Sequence, residues 1–152
     1  MSSSPKVRYQ GAIVRDHAIL LIQHRWRADG RSAWLIPGGG REPGESEEEC
    51  VRREMREETG LDVAVERLLL DEAALTTERV YQRYKTYLCR AMAGEARPGY
   101  EPEPEAASAY TITAVGWFDL RQDADWDPAL KADPISYPLL TRLQRALGYP
   151  AA

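Results

Sequence analysis

Three glutamates stand close together in a stretch of the sequence that has the pattern of a helix. Glu54, Glu57 and Glu58 are spaced i, i+3 and i+4, so a helix projects all three carboxylates from one face. They fall in its last turns, where the helix dipole disfavours negative charge, and a like-charge pair at i, i+4 costs about 0.2–0.5 kcal/mol. Something cationic should offset this repulsion.

Two sources of positive charge fit the helix pattern. The first is the helix itself: Arg53 can pair with Glu49 and Glu57, while Arg52 and Arg56 dilute the charge, giving a solvated face of salt bridges. The second is a divalent metal, because Mg²⁺ and Mn²⁺ prefer oxygen ligands and bind through a few carboxylates. The helix pattern alone leaves both open.

The acids at the start of this helix have a simpler explanation. Ser46 followed three residues later by Glu49 predicts a capping box, and Glu47 and Glu48 lie in the first turn, where the dipole favours negative charge. Helix stability therefore accounts for these glutamates.

A glycine-rich loop precedes the helix. Pro37 ends the preceding strand, and glycines at 38, 39, 40 and 44 let the backbone turn tightly and approach a ligand. The glycines are not followed by a Lys-Ser or Lys-Thr pair, which excludes the common nucleotide-triphosphate loop.

The loop and the helix together carry a resemblance to a known family. Gly39, five residues to Glu45, seven more to Arg53, and the run Arg53-Glu-Met-Arg-Glu-Glu-Thr-Gly-Leu61 fill every fixed position of the Nudix (MutT-like) hydrolase signature. The lead-in Trp34–Gly38 also resembles that of the family.

The resemblance implies a fold and a reaction. The fold is a Nudix-type α/β/α sandwich (α/β, or α+β) with a mixed β-sheet, expected as a single domain over residues 1–152 with a flexible start at 1–6. The reaction is Mg²⁺- or Mn²⁺-dependent cleavage of a nucleoside diphosphate linked to another group, by water attacking a phosphorus. Many members of the family are dimers, so the resemblance allows a homodimer.

The resemblance also assigns roles to residues of the signature. Glu57 and Glu58 would be the main metal ligands, with Glu54 as a further ligand or the general base. Gly39 would be a further ligand through its backbone carbonyl. Glu45 would support the ligands from behind, and Arg53 would orient the glutamates.

One feature of the family has no direct match. Members often place another acid shortly before the last strand, where this chain has Tyr110 and Thr111. Glu105, or else Glu103 or Glu101, could supply that carboxylate as base or ligand.

Contacts to the substrate are less specific. Four cations on predicted strands could hold phosphates, or could be solvated surface charges: Arg25, Arg27, Arg83 and Lys85. Four aromatic residues could stack on a base, or could pack in the core or across strands: Trp26, Tyr81, Tyr84 and Trp117. His17 and His24 lack a ligand constellation and are interpreted as turn or strand-end residues.

The family resemblance narrows the substrate by two absences. ADP-ribose-cleaving members tend to carry a proline about fifteen residues beyond the signature, but the first proline after Leu61 is Pro98. Dinucleoside-polyphosphate members tend to have a tyrosine there, where this chain has Thr77, Glu78 and Arg79. The expected substrate is therefore a nucleoside triphosphate, oxidised ones included. The alternative function is that of a non-catalytic Nudix-fold module that binds a nucleotide or regulates a partner.

Composition limits the other classes of function. The chain has 152 residues and a net charge of −4, which argues against binding a nucleic-acid backbone. Cys50 and Cys89 lie far apart, which argues against a zinc site or disulfide framework and favours the cytoplasm. The apolar run Ala18 to Ile22 is too short for a signal peptide or membrane span. The expected partner is a small nucleotide.

The positioning elements follow from period and turn residues. Strands are predicted in six places: residues 7–14, 18–24, 33–36, 61–70, 79–92 and 110–118. A turn is predicted at Asp16-His17, a loop over 93–107 and an irregular polar stretch over 121–134. A last helix is predicted from Ser136 with four leucines on one face: Leu139, Leu140, Leu143 and Leu147.

Overall fold

A computed structural model describes residues 6–74, 80–100 and 109–150 of the chain. The strands are β1 (Val7–Arg15), β2 (Ala18–Trp26), β3 (Ser32–Leu35), β4 (Gly38–Gly39), β5 (Asp62–Ala73), β6 (Arg83–Ala93) and β7 (Tyr110–Asp119). The helices are α1 (Glu47–Thr59), α2 (Pro128–Lys131) and α3 (Ser136–Ala146). Within the described ranges, none of the helices has the length and apolar character needed to cross a membrane.

The strands form one mixed sheet. Its order is β3-β2-β1-β6-β5, with β4 paired to β1 and β7 paired to β2. β1 and β6 run parallel, whereas the other pairs run antiparallel. The predicted mixed sheet is confirmed.

Helices cover both faces of the sheet. On one face, α1 contributes Cys50, Val51 and Met55 to a core with side chains of β1, β2, β5 and β6. On the other face, α3 contributes three of the four predicted leucines, Leu139, Leu140 and Leu143, as buried residues, and Leu147 packs beside them. Each helix buries its apolar stripe against the sheet, which confirms the α/β/α sandwich.

The predicted elements correspond closely to the observed ones. The turn at Asp16-His17 is confirmed: both residues have positive φ, 50° and 65°, as a tight hairpin of this kind requires. The stretch 121–134 differs from expectation because it contains the short helix α2, which Asp127 starts by accepting the Ala129 N–H at 2.8 Å. Residue 79, the predicted start of β6, lies outside the described residues.

The glycine loop is fixed to the sheet by its first two glycines. Gly38 and Gly39 form β4 and pair with Gln10 and Tyr9 of β1. A Cβ on Gly38 would lie 2.4 Å from the Tyr9 carbonyl oxygen, so only glycine allows this approach. The loop therefore enters α1 from a defined place on the sheet.

Candidate active site

The start of α1 has the predicted capping box. Ser46 Oγ accepts the Glu49 N–H at 3.1 Å, and Glu49 Oε1 accepts the Ser46 N–H at 3.3 Å. Glu49 is thus engaged at the helix start, and its predicted pairing with Arg53 is replaced by this bond.

The end of α1 is closed by a separate segment of chain, residues 94–100, which we call the strap. Gly60, in the left-handed region at φ 77°, donates its N–H to the Arg56 carbonyl at 3.0 Å. The strap supplies the next three donors: Tyr100, Gly99 and Arg97 donate to the carbonyls of Glu57, Glu58 and Thr59 at 3.0, 2.9 and 2.8 Å. The last four carbonyls of the helix, which lack intrahelical partners, are therefore all bonded.

Gly99 lets the strap approach this closely. A Cβ there would lie 1.8 Å from the carbonyl oxygen of Glu57, a distance that side chains cannot occupy. The strap thus ties down the helix turn that carries Glu57 and Glu58. Its N–H groups also face the negative end of the helix dipole, which offsets part of the local excess of negative charge.

The three glutamates share one face of α1 and are largely shielded from solvent. Glu54 and Glu58 are 1% and 0% exposed, and the Glu57 side chain is 16% exposed. Glu58 Oε1 accepts the Gly38 N–H at 2.7 Å, which joins the helix to the glycine loop. Buried carboxylates of this kind need charged or polar partners.

Arg53 is the cation at the centre of the acidic cluster. Its Nε and one terminal nitrogen donate to the two Glu45 oxygens at 2.7 and 2.9 Å. The other terminal nitrogen donates to Glu54 at 3.0 Å and Glu57 at 3.2 Å, so the predicted pairing with Glu57 is confirmed. The hydrogen bond from Arg53 lowers the pKa of Glu45, and the pKa of Arg53 itself is raised by the same bond.

A cavity of about 480 Å³ opens on the side of the sheet that carries α3. Its walls include a buried cation and several rings: Arg8, His24, Trp26, Tyr81, Tyr84 and Tyr110. The His24 and Tyr110 rings are stacked, with centroids 3.9 Å apart and planes at 16°. The pairing of β2 with β7 shifts register between Gln23 and His24, and such a bulge re-aims the side chains beyond it.

His24 forms the deep part of this wall and is only 3% exposed. Burial and, to a smaller extent, the positive charge of Arg8 lower the pKa of His24 to about 3. The imidazole is therefore neutral at physiological pH. A cavity walled by neutral rings suits a flat aromatic ligand such as a nucleobase.

The acidic cluster and the cavity meet at residues 36–38. Arg8, in the cavity wall, donates to the Ile36 carbonyl at 2.8 Å. Two residues further on, the Gly38 N–H binds Glu58 at 2.7 Å. The two halves of the site therefore share one short segment of backbone.

Comparison with known families decides the class of this site. The chain matches the NUDIX domain over residues 5–143, more than nine-tenths of its length. It belongs to the NUDIX family. The protein is a Nudix hydrolase, a family whose members generally use divalent metal ions.

Named relatives and solved structures agree with this assignment. A putative 8-oxo-dGTP diphosphatase 2 from Mycobacterium tuberculosis (strain CDC 1551 / Oshkosh) is 32% identical over 122 residues, 78% of each chain. The nucleoside triphosphatase NudI of Escherichia coli (strain K12) is 46% identical over 79 residues, 49% of this chain and 50% of that one. A crystal structure of an ADP-ribose pyrophosphatase from Streptococcus suis 89-1591 superposes with a TM-score of 0.66 at 26% identity, covering 97% and 98% of the two chains.

The donor atoms of the Nudix acidic cluster suit a hard divalent cation. Three carboxylates and the Gly39 carbonyl are all oxygen donors, which Mg²⁺ and Mn²⁺ prefer. A Cβ on Gly39 would lie 2.4 Å from Glu54 Oε1, so the glycine brings its backbone against this carboxylate. Within residues 6–74, 80–100 and 109–150, however, no three Asp, Glu, His or Cys side chains are close enough together to form a metal site as they stand. Arg53 occupies part of the space between the glutamates, because it donates hydrogen bonds to both Glu54 and Glu57.

The predicted substrate contacts divide into two groups. Trp26, Tyr81 and Tyr84 line the cavity, as does His24, whose interpretation as a strand-end residue missed this role. Trp117 lies elsewhere, with the Arg15 guanidinium 4.3 Å from its ring centroid. The missed signal for His24 is its place two residues before Trp26 on one strand, where both side chains share a face.

The four predicted phosphate-binding cations do not line the cavity. Arg25 and Arg27 flank a separate groove with Gly30, Thr111 and Thr113. Arg83 is hydrogen-bonded to the Asp71 carboxylate, and Lys85 is ion-paired with Glu47 at 3.1 Å. Lys6 and Arg8, which the sequence interpretation overlooked, are the cations among the described residues that line the cavity. Glu101, Glu103 and Glu105 lie outside the described residues, and the predicted role of Glu105 stays a prediction.

Proposed function

We propose that this Nudix hydrolase cleaves the pyrophosphate linkage of a nucleoside triphosphate, oxidised ones included, with Mg²⁺ or Mn²⁺ as the cofactor. The observation that supports this most is the shared segment 36–38, which brings a cavity suited to a base beside a cluster of carboxylates. A nucleotide has the same two parts in the same order, a flat base and then a polyanion. The proposal takes residues 1–152 as one domain.

The relatives support a nucleotide substrate and differ in which one. Their names specify an 8-oxo-dGTP diphosphatase, a nucleoside triphosphatase and an ADP-ribose pyrophosphatase. Two of these three act on triphosphates by name, which favours the triphosphate over the ADP-ribose class. The cavity of about 480 Å³ has room for a nucleoside.

The residues of α1 would bind the cofactor. Glu57 and Glu58 would be the main ligands, with the Gly39 carbonyl beside them and Glu54 as a further ligand or the general base. A bound divalent cation supplies a lowered pKa for a coordinated water and neutralises charge on the bridging phosphate oxygens. Arg53, held in place by Glu45 at 2.7 Å, orients Glu54 and Glu57.

The chemical step is the attack of water on a phosphorus of the anhydride. One carboxylate of the cluster, with Glu54 as the candidate, accepts the proton of the attacking water as the new P–O bond forms. The bridging P–O bond breaks, and its electron pair leaves with the departing pyrophosphate or nucleoside monophosphate, depending on which phosphorus the water attacks.

A substrate panel tests the proposal directly. The protein is incubated with the common nucleoside triphosphates, 8-oxo-dGTP, ADP-ribose and a dinucleoside polyphosphate, each with Mg²⁺, Mn²⁺ or a chelator, and the products are separated by chromatography. We expect cation-dependent conversion of a triphosphate to the monophosphate and pyrophosphate. Cleavage of ADP-ribose alone would reject the substrate class, and binding without turnover across the panel would favour the non-catalytic module.

A further inference from the structure

Arg8 is a buried cation close to the start of β1. It is only 9% exposed, although arginine is among the residues least often buried without a partner of opposite charge. Its Nε donates to Gln10 Oε1 at 3.1 Å, and a terminal nitrogen donates to the Ile36 carbonyl at 2.8 Å. Gln10 is itself fixed by a 2.9 Å bond to Thr86 Oγ1. The guanidinium is therefore held in one orientation.

The contacts that hold Arg8 are neutral oxygens. An amide oxygen and a backbone carbonyl orient the guanidinium but carry no net charge, so these two contacts do not neutralise it. Burial lowers the pKa of Arg8, while Glu58 and other groups raise it by more, so the net direction is upward and the cation persists. A rigid and charged group of this kind is a pre-organised anion site.

The position of Arg8 indicates which anion it would meet. The guanidinium lines the aromatic cavity, 5.9 Å from the centroid of the Tyr81 ring. Through Ile36 it is two residues from Gly38, whose N–H binds Glu58 at 2.7 Å. A guanidinium has five N–H donors, and the contacts among the described residues use two of them. The others remain for a ligand in the cavity.

We propose that Arg8 is the phosphate-binding residue of this Nudix site, and that it holds the phosphate attached to the nucleoside. This inference rests on the proposed function and adds a source of specificity to it. The guanidinium N–H groups of Arg8 would bind the phosphate that lies between the base in the cavity and the anhydride at α1. Arginine suits this place because its planar fork binds two phosphate oxygens at once. The site therefore selects nucleotides over nucleosides and over inorganic pyrophosphate.

A binding experiment without turnover tests Arg8. With a chelator present, calorimetry measures the affinity for guanosine, guanosine 5′-monophosphate, adenosine and adenosine 5′-monophosphate in the wild type, Arg8→Lys and Arg8→Met. The wild type should bind each monophosphate more tightly than its nucleoside. Arg8→Met should reduce that preference about tenfold while leaving nucleoside affinity unchanged, because only the charged hydrogen bonds are lost. Arg8→Lys, which keeps the charge without the fork, should fall between the two.

Controls separate this inference from folding and from the proposed function. Arg90→Met, at an exposed arginine that pairs with Glu66 at 3.0 Å, should leave the preference intact. If Arg8→Met does not fold, Arg8→Lys is the test. An unchanged preference of Arg8→Lys for the monophosphate over the nucleoside overturns the inference. Equal affinity of the wild type for nucleoside and monophosphate also overturns it. If the protein hydrolyses a nucleotide in the substrate panel but Arg8→Met keeps the preference for the monophosphate, only the role of Arg8 is rejected. If no nucleotide in the panel is hydrolysed, the proposed function is rejected.

Discussion

The acidic end of α1 and the aromatic cavity are adjacent, yet they are built in opposite ways. The acidic end comes from one continuous stretch, Gly39 to Leu61, closed by the strap. The cavity takes its walls from residues as distant along the chain as Lys6 and Ser136, including residues of β1, β2, β3, β6, β7 and the start of α3. One region is set by spacing along a helix, and the other by how strands pair.

Because the two regions are built differently, the residues expected to carry out the reaction are separate from those expected to select the substrate. The helix spacing fixes which carboxylates share a face, so any chain with the same spacing has the same cluster. The cavity depends on strand register, on the bulge after Gln23 and on the rings that happen to lie beyond it. Substitutions in the two regions should therefore have separable effects, on turnover in one and on substrate affinity in the other.

The largest effect is expected in the acidic cluster. Glu58→Gln keeps the shape of the side chain and an oxygen that can accept the Gly38 N–H, while it removes the negative charge. We expect kcat to fall roughly a hundredfold or more. The melting temperature without metal should stay level or rise, because repulsion among the carboxylates is relieved. Steady-state kinetics and thermal melts measure the two.

Glu66→Gln is the matched control for that substitution, since Glu66 lies on β5 in an exposed pair with Arg90 at 3.0 Å. It should leave kcat unchanged. If Glu58→Gln kept its activity and lost metal-free stability, the cluster would be a structural salt-bridge network and the contrast between the two regions would disappear.

A tryptophan in the cavity should affect affinity instead. Trp26→Leu removes a ring from the wall, and stacking of a base on an aromatic ring is worth about 1–3 kcal/mol. We expect KM to rise by about tenfold with kcat nearly unchanged. Trp117→Leu, at a tryptophan that packs beneath Arg15 and not in the cavity, should leave KM as it is. An equal rise in both variants would mean that the cavity does not hold the base.

The strap should connect stability to the acidic end. Gly99→Ala places a Cβ where the Glu57 carbonyl lies, so the strap must shift away from α1. We expect a loss of about 1–3 kcal/mol in the free energy of unfolding and a weaker affinity for Mn²⁺, measured by electron paramagnetic resonance. Gly148→Ala is the control: Gly148 has φ 85° and open space around it, so its cost should be confined to stability. Unaltered Mn²⁺ affinity in Gly99→Ala would show that the strap is structural only.

The smallest effect concerns the neutral histidine of the cavity. The pKa of His24 is about 3 in the folded protein, against about 6.5 for an unfolded histidine. Below pH 6.5 the unfolded state therefore takes up a proton that the folded state refuses, and stability falls as the pH drops. Between pH 6 and pH 5 this amounts to about 1 kcal/mol, which His24→Phe should remove. Urea unfolding at the two pH values measures it, and an identical pH dependence in both proteins would contradict the account.

The sequence supports strong predictions where chemistry is local. The glutamate spacing, the capping box at Ser46 and Glu49 and the apolar face of α3 each depend on residues three or four apart, and helix geometry relates such residues directly. The strands also follow from period and turn residues, whereas the mixed sheet is expected from the family resemblance. Arg53 could be placed near Glu57, but its strongest contact, with Glu45, crosses the loop.

The rest depends on contacts between distant parts of the chain. The role of Arg8 follows from the pairing of β1 with β4 and from the approach of Ile36, which residue types along β1 do not reveal. Lys85 and Arg83 lie on the predicted strand, but their side chains contact acidic residues instead of the cavity. Lys85 pairs with Glu47 and Arg83 with Asp71. The strap is another long-range contact, because its three donors are recognisable only once the chain has returned to the end of α1.

The central claim is that one nucleotide spans both regions, with its base in the aromatic cavity and its anhydride at the carboxylates of α1. A crystal structure with Mg²⁺ and a non-hydrolysable nucleoside triphosphate analogue tests this most directly. The account predicts the base between Trp26 and Tyr81, a phosphate on Arg8 and the cation on Glu57 and Glu58. A nucleotide in the groove between Arg25 and Arg27, without a cation at those glutamates, would contradict it.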